Sequence, residues 1–215
     1  MAQAELALIV GAGSGLSGSL ARLCAAQGMR VALAARNTDK LKAFEGASLH
    51  ACDASDPSQV RKLFESVETP DMVVYNASYR VRGPFTSLQP EEVHRTLMVT
   101  AYGGFLVAQA AAKRMLERGR GSLLFTGASA SVKGYAESAP FAMGKFALRG
   151  LAQSVARELG PRGIHVAHFV IDGGIGKAQG KLDPDAIARA YLDVHRQDRS
   201  AWSFEVDLRP YVEKF

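Results

Sequence analysis

The chain is poor in cysteine. Only Cys24 and Cys52 occur in 215 residues. They lie far apart without motif spacing, which excludes a disulfide framework and a cysteine-based zinc site and fits a reducing cytoplasm. No apolar run approaches the roughly 18 residues of a membrane span. Residues 1–5 carry no basic cluster ahead of the first apolar run, so a signal peptide is not expected. No linker, repeat or low-complexity segment interrupts the chain. The five histidines, His50, His94, His165, His168 and His195, show no metal spacing. His165 and His168 sit three apart in one expected strand and so point to opposite faces, which argues against a shared metal.

What is present is ordinary globular composition, 47% hydrophobic and 22% charged, and enough length for one full core. One domain over residues 1–215 is expected. The net charge is +5, but the basic residues are scattered. The densest cluster, Lys113, Arg114, Arg118 and Arg120, falls at an expected helix C-terminus, where cations suit the dipole. Nucleic acid is therefore not the expected partner, and an anionic small molecule better explains local positive charge.

Strands and helices alternate. Apolar runs predict strands over 6–10, 30–34, 48–52, 72–75, 122–125 and 164–170, with a last one over 203–208. Helices are expected over 16–27, 37–44, from Asp56-Pro57, over 90–118 with a break or tightening near Gly103-Gly104, over 137–159 and over 183–195. Several strands are continuously apolar, the mark of a parallel sheet buried on both faces. The expected fold is α/β: a Rossmann-like doubly wound parallel sheet of about seven strands with helices on both faces.

The first strand runs into Gly11-Ala12-Gly13-Ser14-Gly15-Leu16-Ser17-Gly18. Glycines there permit a sharp turn and a close backbone approach to a pyrophosphate, and the next helix offers free N–H groups to the anion. The second strand ends in Arg36 with no acid, which suits the 2′-phosphate of NADP(H) over the 2′-hydroxyl of NAD(H).

With these motifs the chain resembles the short-chain dehydrogenases/reductases in their single-domain form. Gly11-xxx-Gly15 matches the family's cofactor loop, with Ser17 at its third glycine. Asp53 matches the residue that holds the adenine. Tyr75-Asn76-Ala77-Ser78 matches the Asn-Asn-Ala-Gly segment with its first and last residues changed, and Gly150 to Val170 matches the following helix and strand. The resemblance implies the strand order 3-2-1-4-5-6-7. It also implies a cofactor-binding set of Gly11, Gly13, Ser14, Gly15, Leu16, Arg36, Asp53, Ala54, Asn76, Ala77, Lys145, Gly173 and Ile175.

The family's tyrosine, lysine, serine and asparagine do not all carry over. The Tyr-xxx-Lys position reads Phe141 to Lys145, and phenylalanine exchanges no proton. The serine position is Ala128, with Ser129 next to it, and the relay asparagine is Thr100. The family's Pro-Gly after the sixth strand is Asp172-Gly173, and its threonine falls at Lys177. Replacement candidates are Ser129 and Tyr135, with Tyr79 and Tyr102 more distant. Lys145 either holds the cofactor ribose or acts as an acid itself, because burial lowers a lysine pKa.

Three activities fit this pattern. The first is an atypical NADP(H)-dependent oxidoreductase of a small carbonyl, alcohol or related substrate. The second is an NADP(H)-binding protein without redox turnover, and the third a non-redox lyase or cyclase. The resemblance implies a homodimer or homotetramer paired through the two long helices; Ala108, Ala110, Ala111, Ala112, Ala147 and Leu151 give small or apolar surface that suits such packing and equally suits facing the sheet. The tail from Asp207 to Phe215 is apolar enough to dock on a neighbour. A shortened substrate lid is expected around 173–182.

Overall fold

The structure is a computed structural model and describes residues 3–41 and 44–212. Seven strands form one sheet in the order 3-2-1-4-5-6-7, and every neighbouring pair is parallel. The strands are β1 (Leu6–Val10), β2 (Arg30–Ala35), β3 (Ser48–Ala51), β4 (Met72–Tyr75), β5 (Gly121–Thr126), β6 (Ile164–Ile171) and β7 (Glu205–Leu208). The helices are α1 (Leu16–Ala26), α2 (Pro57–Ser66), α3 (Pro90–Leu97), α4 (Gly103–Arg118), α5 (Ala139–Leu159) and α6 (Pro184–His195).

Alternation along β1 divides the core. Leu6, Leu8 and Val10 join the side covered by α2, α4 and α5. Ala7 and Ile9 join the side covered by α1 and α6. A strand that is apolar on both faces needs helices on both, which is why β1 and β4 read as unbroken apolar runs, while β6 is buried throughout with two histidines in it. Strand order reverses at β1, between β2 and β4, so the loops leaving β1 and β4 part at the carboxyl edge. Ligand crevices of open α/β sheets lie at such a point.

Three local expectations change. Residues 37–44 hold a single 3-10 turn over Asp39–Leu41, because the Asn37 Oδ1 accepts from the Asp39 N–H at 2.8 Å and turns the chain locally; Lys42 and Ala43 lie outside the described residues. Helix α5 begins at Ala139, not Glu137, because Glu137 takes a left-handed φ of 57°. The long helix over 90–118 is not tightened at its glycines but widened just before them, into a π segment over Met98–Tyr102.

The widening has a visible cause. The buried Tyr75 hydroxyl donates to the Val99 carbonyl, which in a continuous α-helix would accept from the Gly103 N–H. That N–H instead reaches back to Met98 O. A side chain inserted into the helical ladder forces this register. Gly103 is required because a Cβ there would collide with the Tyr75 hydroxyl and sit 2.9 Å from Ala54 O.

Both cysteines are free and buried, and burial pushes each thiol up to about 11, away from reactivity. Among the described residues no cluster of His, Cys, Asp and Glu could hold a metal. No helix there is long and apolar enough to cross a membrane.

Candidate active site

Two clefts adjoin at the carboxyl edge and share Asn76 and Ser78. The inner one, about 320 Å³, is lined by the ends of β1 to β4, including Gly11, Arg36, Asp53, Ala54, Asn76 and Ala77. The outer one, about 670 Å³, takes in Ser129, Tyr135, Phe141, Lys145, Gly173 and Ile175.

The glycine loop is tied down by polar bonds. Asn76 Nδ2 donates to Ser17 Oγ at 2.9 Å and to Gly11 O at 3.3 Å, and Ser17 Oγ donates to Gly11 O at 3.4 Å. The serine at the family's third glycine position thus links the β1 loop to the β4 loop. No side chain caps α1, so its first N–H groups have no partner from their own helix. A Cβ at Gly13 or Gly15 would meet nothing within 4 Å, so the loop presents open backbone. Leu16 is a core side chain and offers only its backbone to a ligand. Ser14 faces a separate hollow beside Arg22 and Phe44.

Arg36 is exposed and has no ion-pair partner among the described residues. Asp53 Oδ1 accepts from Ser55 N at 2.9 Å and Ser55 Oγ at 2.6 Å, which fixes the carboxylate at the cleft wall.

In the outer cleft Lys145 is 3% exposed, and its Nζ donates to Thr126 O at 2.6 Å. Phe141, one turn earlier on α5, lies with its ring centroid 5.7 Å from that ammonium. Burial lowers the Lys145 pKa from 10.5 to about 8. As pH falls from 10.5, the unfolded chain takes up this proton before the folded one. Relative to Lys145→Met, the wild type should therefore lose stability between about pH 10.5 and pH 8 and run level below that. Urea unfolding midpoints across that window check it; parallel curves would show that the amine is not desolvated.

The replacement candidates separate. Ser129 lines the outer cleft from a short turn. Tyr135 lines its rim, 47% exposed, with the Lys133 ammonium 5.6 Å above its ring. Tyr79 and Tyr102 line neither cleft. Tyr79 Oη donates to Glu92 at 2.7 Å, and Tyr102 stacks on Phe105. Thr100 is fully buried in the π segment, packed against Gly144, and its Oγ1 accepts from the Tyr79 N–H at 3.2 Å.

The lining residues that were not anticipated include Arg80, Arg82, Thr126 and Ser138. Ser138 had a readable signal. It stands at the N-cap of α5, yet its side chain makes no cap bond and is only 2% exposed. The Arg-x-Arg pair after β4 was the other.

The crossing from β6 to α6 closes on itself. Gly176 N donates to Leu182 O at 2.8 Å and Leu182 N to Gly174 O at 2.9 Å. Of the pairing alanines, Ala111 is buried in the sheet-facing core. Ala108, Ala112 and Leu151 border a groove between α4 and α5. The tail is described only to Val212; 213–215 lie outside the described residues.

A parallel sheet with an uncapped helix at its switch point and a buried lysine in the adjoining cleft is the architecture of a dinucleotide-dependent dehydrogenase fold. The short chain dehydrogenase family model matches residues 5–177, and the chain belongs to that family of oxidoreductases. A short-chain dehydrogenase from Rhodopseudomonas palustris is 31% identical, with a TM-score of 0.88 over 98% of this chain and 100% of that one. A metagenomic short-chain oxidoreductase, solved in complex with NADP, is 26% identical, with a TM-score of 0.87 over 97% of this chain and 98% of that one. An uncharacterized oxidoreductase of Staphylococcus aureus is 27% identical over 96% of this chain and 97% of its own length.

Proposed function

We propose that the chain is an NADP(H)-dependent oxidoreductase of a small carbonyl or alcohol, working without the family's tyrosine. The observation that carries this reading is the inner cleft. Gly11, Asp53 and an Arg36 without an ion pair among the described residues line it, and the open backbone of Gly13 and Gly15 and the uncapped start of α1 follow Gly11 along the chain. That set fits a dinucleotide with a 2′-phosphate. The similar metagenomic oxidoreductase holding NADP supports it.

Arg36 would hold the 2′-phosphate, Asp53 the adenine, the α1 N-terminus and Gly13 to Leu16 the pyrophosphate, and Lys145 the nicotinamide ribose. Ala54, Asn76, Ala77, Gly173 and Ile175 complete the walls. When bound, the nicotinamide supplies or accepts hydride at the substrate carbon. Lys145 keeps a labile proton at Nζ near neutral pH, and Phe141 holds apolar surface beside it. Ser129 and Tyr135 orient the substrate oxygen and close the rim. Orientation in a shaped cleft contributes acceleration apart from proton transfer.

We read 1–215 as one domain, with the closed crossing around 173–182 as a shortened lid that leaves the outer cleft open. A homodimer or homotetramer would pair across the groove between α4 and α5.

Replacing Arg36 with Glu should weaken NADPH binding roughly 10–100-fold, the worth of a charge-assisted bond, and leave NADH binding much less affected. Fluorescence titration of both nucleotides checks it. Equal losses for the two, or none, would remove the 2′-phosphate assignment. A second reading, cofactor binding without turnover, is favoured by Phe141 alone. NADPH binding with no oxidation across a carbonyl panel would establish it.

A further inference from the structure

The outer cleft carries two arginines that the cofactor assignments do not use. Arg80 and Arg82 come from the loop after β4 and line the cleft together with Phe141 and Lys145. The Arg80 guanidinium lies 5.1 Å from the centroid of the Phe141 ring, which also has the Lys145 ammonium 5.7 Å away. Arg80 and Lys145 thus flank one ring, Arg82 lines the same cleft, and no Asp or Glu lines it. Among the described residues neither arginine pairs with a carboxylate. The exposed Glu137 is not among the lining residues, and Asp172 is engaged by Lys133 at 4.0 Å and Arg209 at 3.8 Å.

The loop is held on both sides of the pair. Tyr79 N donates to Thr100 Oγ1 at 3.2 Å and Gly83 N donates to Glu137 O at 3.0 Å. The second bond lands on the residue with the left-handed φ of 57°, a conformation that persists only where surrounding structure fixes it. Uncompensated like charges on a fixed loop repel one another until an anion arrives, and guanidinium forks match the planar oxygens of carboxylate and phosphate.

We propose that the outer cleft binds a carbonyl substrate bearing an oxoanion, a carboxylate or phosphate group held by Arg80 and Arg82 with the carbonyl toward Lys145. The carbonyl half rests on the oxidoreductase reading above; the anion half does not.

The test uses two matched pairs: 4-oxopentanoate against its methyl ester, and dihydroxyacetone phosphate against dihydroxyacetone. Each is titrated calorimetrically into the full chain, with and without saturating NADPH. In at least one pair the anion should bind roughly tenfold or more tighter than its neutral partner, and which pair does so identifies the oxoanion. The R80Q/R82Q double variant should bring the anion to the affinity of the neutral compound and leave the NADPH Kd unchanged. The charge-keeping R80K/R82K variant should retain part of the preference, which separates lost charge from lost fold. Equal affinities within both pairs, or a preference that survives R80Q/R82Q, overturns the proposal. Absent NADPH binding with an anion preference intact overturns the oxidoreductase reading and supports the anion site.

Discussion

Restoring a hydroxyl at two positions, Phe141→Tyr with Ala128→Ser, should raise NADPH-dependent carbonyl reduction by about 10²–10⁴-fold, the usual worth of a positioned general acid. The geometry is already in place for it. Position 141 lies one turn before Lys145 on α5, and its ring is within 5.7 Å of the ammonium. A phenol on that ring enters a cleft that Ala128 and Lys145 also line. The nearby cation would stabilise its phenolate and lower its pKa. Neither change adds bulk to the core, because Phe141 and Ala128 are half-buried at the cleft wall. Steady-state NADPH oxidation against several carbonyl compounds gives the readout. An unchanged rate would mean that the absent hydroxyls do not limit this protein.

The second large effect concerns stability. Gly11→Ala should cost about 2–5 kcal/mol, the sum of a left-handed backbone penalty and an overpacking penalty. Gly11 has a φ of 82°, and a Cβ there would run into the Ala77 backbone and lie 2.7 Å from the Ala77 Cβ. A flexible side chain would yield, but this obstacle is the start of the loop after β4. Gly28→Ala is the control. Its φ is 80°, yet a Cβ there meets nothing within 4 Å, so it should lose only about 1–2 kcal/mol. Urea unfolding of both variants isolates the contact. Equal losses would show that the β1 and β4 loops tolerate separation.

These two substitutions also mark what was legible in the sequence. The strands were readable because a sheet covered on both faces leaves unbroken apolar runs, as in Leu6–Val10 and Met72–Tyr75. The glycine loop was readable because backbone approach permits little else. What failed was local geometry set from a distance. Nothing around residue 100 announces a π segment; its cause is a tyrosine on β4. The late start of α5 did have a local signal, Ser138 at the N-cap and Pro140 in the first turn; what lies at a distance is the bond from Gly83 N to Glu137 O. Arg80 and Arg82 were visible as letters, but their place in the outer cleft, with Arg80 over Phe141, goes with that same tertiary bond. The altered position 141 was legible outright, since an i, i+4 pair on one helix face is fixed by helical geometry alone.

The Tyr75 hydroxyl has a consequence for how this chain can change over time. It occupies the space that any side chain at position 103 would need, and it takes the carbonyl that a regular helix would use there. Positions 75 and 103 are thus bound in lineage as well as in space. A descendant that regularises this helix must lose the tyrosine, yet it keeps the glycine, because Ala54 O would still stand 2.9 Å from a Cβ at 103.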